Sequence, residues 1–203
     1  MRDPDYLIRR IVDGLSGWLV HQQAMKATVN EHVLYPAITQ IAQGRGWKVR
    51  SQQKLVRLKG ATGAPKQIDL LFHRKFKNAK RVTTVVLEVK YLRGENPSAD
   101  RAALLKDMKK LSATALEDLA DHGDEENYSQ PKRFLLIAAH DSAFRKSAKP
   151  VAKNQPVAKI LRKALREELP GYVYQTTTPT YLLEELHWIV AAFGEKAWSK
   201  LIT

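Results

Sequence analysis

The run VTTVVLEVKY, Val82 to Tyr91, constrains the fold more than any other stretch of this chain. Its β-branched residues suit a pleated, packed surface. It is the strongest of the chain's strand signals, and the order of elements around it predicts a mixed sheet with helices on its faces. One acid and one cation, Glu88 and Lys90, interrupt that apolar run. Side chains alternate along a strand, so Val82, Thr84, Val86, Glu88 and Lys90 share one face and the two charged residues project side by side.

The other elements follow from periodicity. Trp47–Leu58 and Gln67–Phe72 predict two strands before the central one, and Phe134–Ala139 a short buried strand after it. The basic segment His73–Arg81 joins the second and third strands, as in a hairpin. Tyr6 to about Ala27 predicts an amphipathic helix through Leu7, Ile11, Leu15, Trp18 and Met25. A second helix is predicted from Thr28 to Gln43, where Thr28 and Glu31 have capping-box spacing and Gly44 and Gly46 mark the end. Pro36 falls inside it. Ala99 to about Ala120 predicts a long helix with Leu104, Met108 and Leu111 on one face. Farther on, Val157–Leu169 suggests a basic helix, Gly171–Gln175 a strand, and Tyr181–Lys200 a terminal helix with Trp188, Phe193 and Trp198. Those tryptophans suit either core packing or a homodimer seam through that C-terminal helix. The expectation is one α/β domain over residues 1–203. Its mixed-sheet core, in the order αβββαβ, spans about 28–140, with an N-terminal helix over 6–27 and a C-terminal helical extension over 156–203.

Composition narrows the function classes. Lys plus Arg number 34 against 21 Asp plus Glu, a formal charge of +13. So basic a chain attracts polyanions, nucleic acid before anionic membrane. The chain has no cysteine, which excludes disulfides, cysteine zinc sites and thiol nucleophiles. No apolar stretch approaches the ~18 residues that span a bilayer, and MRDPDYLIRR has no signal-peptide core. A cytoplasmic address and no membrane partner are the default expectations.

Charge placement is more informative than charge total. Fourteen Lys or Arg residues lie between Arg45 and Arg93, against only two acids, Asp69 and Glu88. Both acids are embedded in apolar strand. If the hairpin pairs across His73–Arg81, residues near Asp69 come opposite Val86 and Glu88. Two carboxylates held together repel, so they need a metal, a shared proton or a basic neighbour. Oxygen-only ligation favours Mg²⁺ or Mn²⁺. The plainer alternative is a salt-bridged strand end for Glu88 and Lys90, with Asp69 capping a bend. His21, His32, His73 and His140 lack partners at metal spacing and read as surface or phosphate-contacting residues.

The ordered set resembles the PD-(D/E)xK nuclease superfamily, the restriction-endonuclease-like fold. The elements that carry the likeness are the helix with Glu31, QIDLLF with Asp69, VVLEVKYLRG with Glu88 and Lys90, and the Lys-rich helix LLKDMKKL, over roughly Thr28 to Ala139. The proline that the family's motif places before the acid is replaced here by Ile68. The resemblance implies that Asp69, Glu88 and the backbone carbonyl of Val89 hold Mg²⁺ or Mn²⁺. It implies that Glu31 contributes to a second metal or binds one through water, and that Lys90 orients or deprotonates the attacking water. A capping role with Thr28 is the alternative for Glu31.

For substrate, Arg74, Lys75, Lys77, Lys80 and Arg81 of the hairpin, with Phe76 among them, are candidate phosphate contacts beside the site. Lys106, Lys109 and Lys110 join them from the following helix, and the acid-free run Arg145–Arg166 is either a clamp or a solvated loop. The leading expectation is a divalent-metal-dependent endonuclease. A non-catalytic nucleic-acid-binding module and an RNA-cleaving toxin on the same scaffold are the alternatives. The residues themselves do not separate DNA from RNA, and the resemblance favours DNA.

Overall fold

The computed structural model of the protein describes residues 3–59, 65–92, 97–114, 119, 127–140 and 188–195. Within them the strand with the central apolar run, β3 (Thr83–Leu92), is the middle of a five-stranded mixed sheet. The order is β1 (Lys48–Lys59), β2 (Pro65–Arg74), β3, β4 (Lys132–His140), β5 (Trp188–Gly194). The pairs β1·β2 and β2·β3 are antiparallel, β3·β4 is parallel and β4·β5 is antiparallel. The parallel step needs a crossover, and α3 (Pro97–Ala113) supplies it.

The pleat of β3 divides the core. Val85, Leu87 and Val89 point to the face covered by α1 (Pro4–Ala24) and α2 (Glu31–Gln43), where Leu7, Ile11, Leu15, Leu34 and Ile38 are fully buried. Thr84, Val86, Glu88 and Lys90 point to the opposite face, which α3 covers with Leu104, Met108 and Leu111. The mixed α/β architecture with helices on both faces of the sheet is therefore as expected. Helix α1 begins on an Asp3 cap that accepts from the Tyr6 N–H at 2.8 Å, and its apolar stripe seats it in the same core. Among the described residues no helix is long and apolar enough to cross a membrane.

Two expectations are corrected. The helix α2 starts at Glu31, not Thr28: Asn30 is the cap, its side chain accepting from the Val33 N–H at 3.2 Å. Both residues are good cap formers, and the one adjacent to the packed stripe prevails. The second correction is the C-terminal helix. Trp188–Gly194 is a strand, paired from Phe134↔Gly194 to His140↔Trp188. The segment WIVAAFG is apolar without a polar face, which helical spacing alone cannot distinguish from a buried strand. Strand β4 offers an edge, and the ladder decides. Trp188 is buried in the core on this strand, as core packing expects, and Trp198 lies outside the described residues.

Replacing Phe193, which is fully buried on the α3 face, by Ala is accordingly expected to cost about 3–5 kcal/mol. A urea unfolding midpoint unchanged from wild type would contradict the placement of β5. The helix predicted to Ala120 ends at Ala113, whereas the predicted helix 157–169, the strand 171–175 and the basic run 145–166 lie outside the described residues.

Candidate active site

The β2·β3 ladder starts beside the hairpin turn at Arg74↔Thr83 and stops at Leu70↔Leu87. The next rung, Asp69 opposite Glu88, is built by side chains. The Val89 N–H donates to Asp69 Oδ2 at 2.8 Å, and the Asp69 N–H donates to Glu88 Oε1 at 3.4 Å. The two carboxylates thus take over the hydrogen bonds of the parted strands and are held together by them. The other side of Asp69 is irregular too. Gln52, between the paired residues Ser51↔Leu70 and Gln53↔Ile68 of β1, has φ +52°.

The first turn of α2 brings in two more groups. Glu31, freed from capping, accepts from Lys90 Nζ at 3.2 Å and from the Tyr91 N–H at 3.3 Å through the same oxygen. Tyr35, one turn on, lies beside Asp69, and its hydroxyl favours the ionised form of that carboxyl. From the other side, α3 presents Asp107 and Lys110. Lys110 Nζ lies 2.6 Å from Glu88 Oε2 and 3.7 Å from Asp107 Oδ1, and Asp107 Oδ2 lies 3.4 Å from Lys90 Nζ. Asp69, Glu88, Lys90 and Glu31 therefore form one continuous network. Lys90 is clamped between Glu31 and Asp107, and Lys110 between Glu88 and Asp107.

Burial makes this network electrostatically tense. Glu88 is 1% exposed, and its carboxyl is pushed up to about 9. Burial is the main cause, the Asp69 carboxylate adds to it, and Lys110 offsets only part. Asp69 is raised as well, chiefly by burial, against the lowering effects of the Val89 N–H and Lys110. Tyr35 is raised by burial and by Asp69 and Glu31. For Lys90 burial acts downward, yet Asp107 and Glu31 outweigh it and hold the ammonium above its ordinary range. Lys90 is therefore a cation at neutral pH.

The donor chemistry fits a hard divalent ion. A strand residue sends its N–H and C=O to the same edge. The Val89 carbonyl therefore faces the same side as the N–H that meets Asp69. Two carboxylates and one carbonyl suit Mg²⁺, which binds through one or two carboxylates and keeps several waters. Among the described residues no group of three or more His, Cys, Asp or Glu is placed to hold a metal ion.

Several expected substrate contacts are placed otherwise. The hairpin turn begins after Arg74 and lies about five residues from the carboxylates, about 16 Å along the strands. Lys75, Lys77, Lys80 and Arg81 are exposed there, not beside the site. Arg74 donates to the Arg45 carbonyl and covers the Phe76 ring, which itself packs edge-to-face on Trp47. Phe76 is thus engaged within the fold. Lys106 and Lys109 are exposed on α3, whereas Lys110 is an internal counter-ion. His73 is buried against Thr84 and Tyr128 instead of lying at the surface.

Sequence reasoning missed Asp107 and Tyr35. The signal for Asp107 was present: it stands between Leu104, Met108 and Leu111 on the buried stripe of its helix, where a lone acid needs a partner. No family model, curated protein or solved structure matches this chain.

Proposed function

We propose that the protein is a divalent-metal-dependent nuclease with a restriction-endonuclease-like core, acting on DNA. The observation that carries this reading is the meeting of Asp69 and Glu88 where the β2·β3 ladder ends, with Lys90 in the same network. A stable sheet gains nothing from a buried acid beside a half-buried one, and both are raised by their setting. Such strain is expected where a fold keeps groups for chemistry.

In this reading Asp69, Glu88 and the Val89 carbonyl hold Mg²⁺ or Mn²⁺. When bound, the ion neutralises phosphate charge and makes water a better nucleophile. The residues of the chain do the rest. Glu31 and Asp107 fix Lys90 from opposite sides, which places an ammonium next to the acids. The part of Lys90 in this reading is to orient the scissile phosphate and its water. Tyr35 favours the ionised form of Asp69, the form that would ligate an ion. Lys110 must release Glu88 for an ion to enter, and Asp107, 3.7 Å away, offers it a second partner.

One observation favours the non-catalytic binding module instead. Lys110 Nζ, 2.6 Å from Glu88 Oε2, already occupies that carboxyl as a structural partner does. Incubation with supercoiled plasmid, linear duplex, single-stranded DNA and structured RNA, in Mg²⁺, Mn²⁺ or EDTA, separates the two. The nuclease reading expects DNA cleavage with either ion and none in EDTA. Binding with a steep salt dependence and no cleavage with any ion would hand the case to the binding module. Cleavage confined to RNA would favour the toxin-like alternative.

A further inference from the structure

Three of the basic residues of β1 share one face. In the β1·β2 register, Lys48 pairs with His73, Arg50 with Leu71 and Lys54 with Gln67. Those partners alternate with Leu70 and Phe72, which belong to the α1/α2 core. Lys48, Arg50 and Lys54 therefore all lie on the α3 face, the face of Asp69, Glu88 and Lys90. All three are exposed. The residues between them, Val49, Ser51 and Gln53, are uncharged. Gln52, in the left-handed region, stands directly across from Asp69, so Arg50 and Lys54 are the diagonal neighbours of that carboxylate. Among the described residues β1 is a sheet edge, and it runs from the basic hairpin at Lys48 to the acids at Gln52 and Lys54.

We propose that the exposed cations Lys48, Arg50 and Lys54 of edge strand β1 form a track for a nucleic-acid backbone, leading from the hairpin to the paired acids. The partner follows from chemistry. Three cations on one face beside two acids offer no complement to a protein surface of mixed charge. They do match a regular polyanion whose reacting phosphate must approach Asp69 and Glu88. Cations on an edge strand also guard against strand-to-strand aggregation, and that role makes a different prediction. The inference rests on nucleic acid being the substrate, but not on cleavage.

The test is anisotropy titration of a labelled 20-base-pair duplex in EDTA, over a range of salt, with the full chain. The variants are Lys48→Gln/Arg50→Gln/Lys54→Gln and, for comparison, Lys75→Gln/Lys77→Gln/Lys80→Gln. The β1 triple variant is expected to bind at least about tenfold more weakly at 0.1 M salt, with a salt slope shallower by about 2 to 3. The hairpin triple, at the far end, is expected to lose less affinity. Binding by the β1 variant within twofold of wild type, with circular dichroism unchanged, overturns the track. So does equal or greater loss in the hairpin variant. Unchanged binding together with self-association assigns these cations to edge protection and overturns it equally. If the wild type binds through β1 yet never cleaves, the track stands and the nuclease reading fails. If the wild type does not bind the duplex, both fail.

Discussion

Glu88→Gln is expected to abolish cleavage and to make the protein more stable. In the proposed reading, loss of one of the two acids that would hold the ion removes several kcal/mol of transition-state stabilisation, a fall in rate on the order of 10³-fold. Duplex binding in EDTA should hold, because the raised Glu88 carboxyl is already neutral near pH 7 and glutamine leaves the charge near phosphate unchanged. The stability effect follows from the raised carboxyl. A carboxyl raised in the fold contributes stability that is complete below its unfolded value, 4.5, and is lost as pH rises towards about 9. Glutamine has the neutral shape at every pH. The melting temperature of Glu88→Gln should therefore match wild type near pH 4 and exceed it increasingly up to pH 9. Each kcal/mol is worth about 2–4 °C in a chain of this length. A variant less stable than wild type at pH 8 would mean that the Lys110 pair outweighs the burial of the Glu88 charge and stabilises the fold, the opposite of what the raised carboxyl requires.

Lys90→Met should slow cleavage by about 10²–10⁴-fold while leaving duplex affinity within a few-fold of wild type. The side chain is clamped by Glu31 and Asp107 rather than displayed to solvent, so it contributes little to non-specific attraction. Its removal acts on the reacting phosphate. Single-turnover rates against anisotropy in EDTA separate the two effects. Equal losses in rate and affinity would make Lys90 an ordinary phosphate contact.

Much of this site was legible because strand geometry is short-range. Period two placed Glu88 and Lys90 on one face, and a hairpin of the right length brought Asp69 to Glu88. The charge map drew attention to the same two acids. What was not legible depended on distance or on competition. The basic turn follows Asp69 closely in sequence, yet an extended strand carries it about 16 Å away. Lys110 sits in a Lys-rich helix that looks like a solvent face, and only the packing of α3 over β3 turns it inward. Thr28 and Asn30 compete for one cap, and the winner frees Glu31 for the network. The segment from Trp188 had apolar residues at helical spacing, and the edge of β4, far away in sequence, made it a strand. Local patterns named the chemistry, and long-range pairing set its surroundings.

The central claim is that Asp69 and Glu88 together seat a divalent ion. The most direct measurement is the melting temperature of wild type, Glu88→Gln and Asp69→Asn at pH 7.5, with and without saturating Mn²⁺, checked by calorimetric titration in buffers of different ionisation heat. Wild type should gain about 5–10 °C, since an ion at a hundred times its dissociation constant adds about 2.7 kcal/mol. Binding should release protons, because the raised Glu88 carboxyl must ionise to ligate. Both variants should show neither effect. An equal Mn²⁺ gain in all three proteins, or none in wild type, would contradict the account.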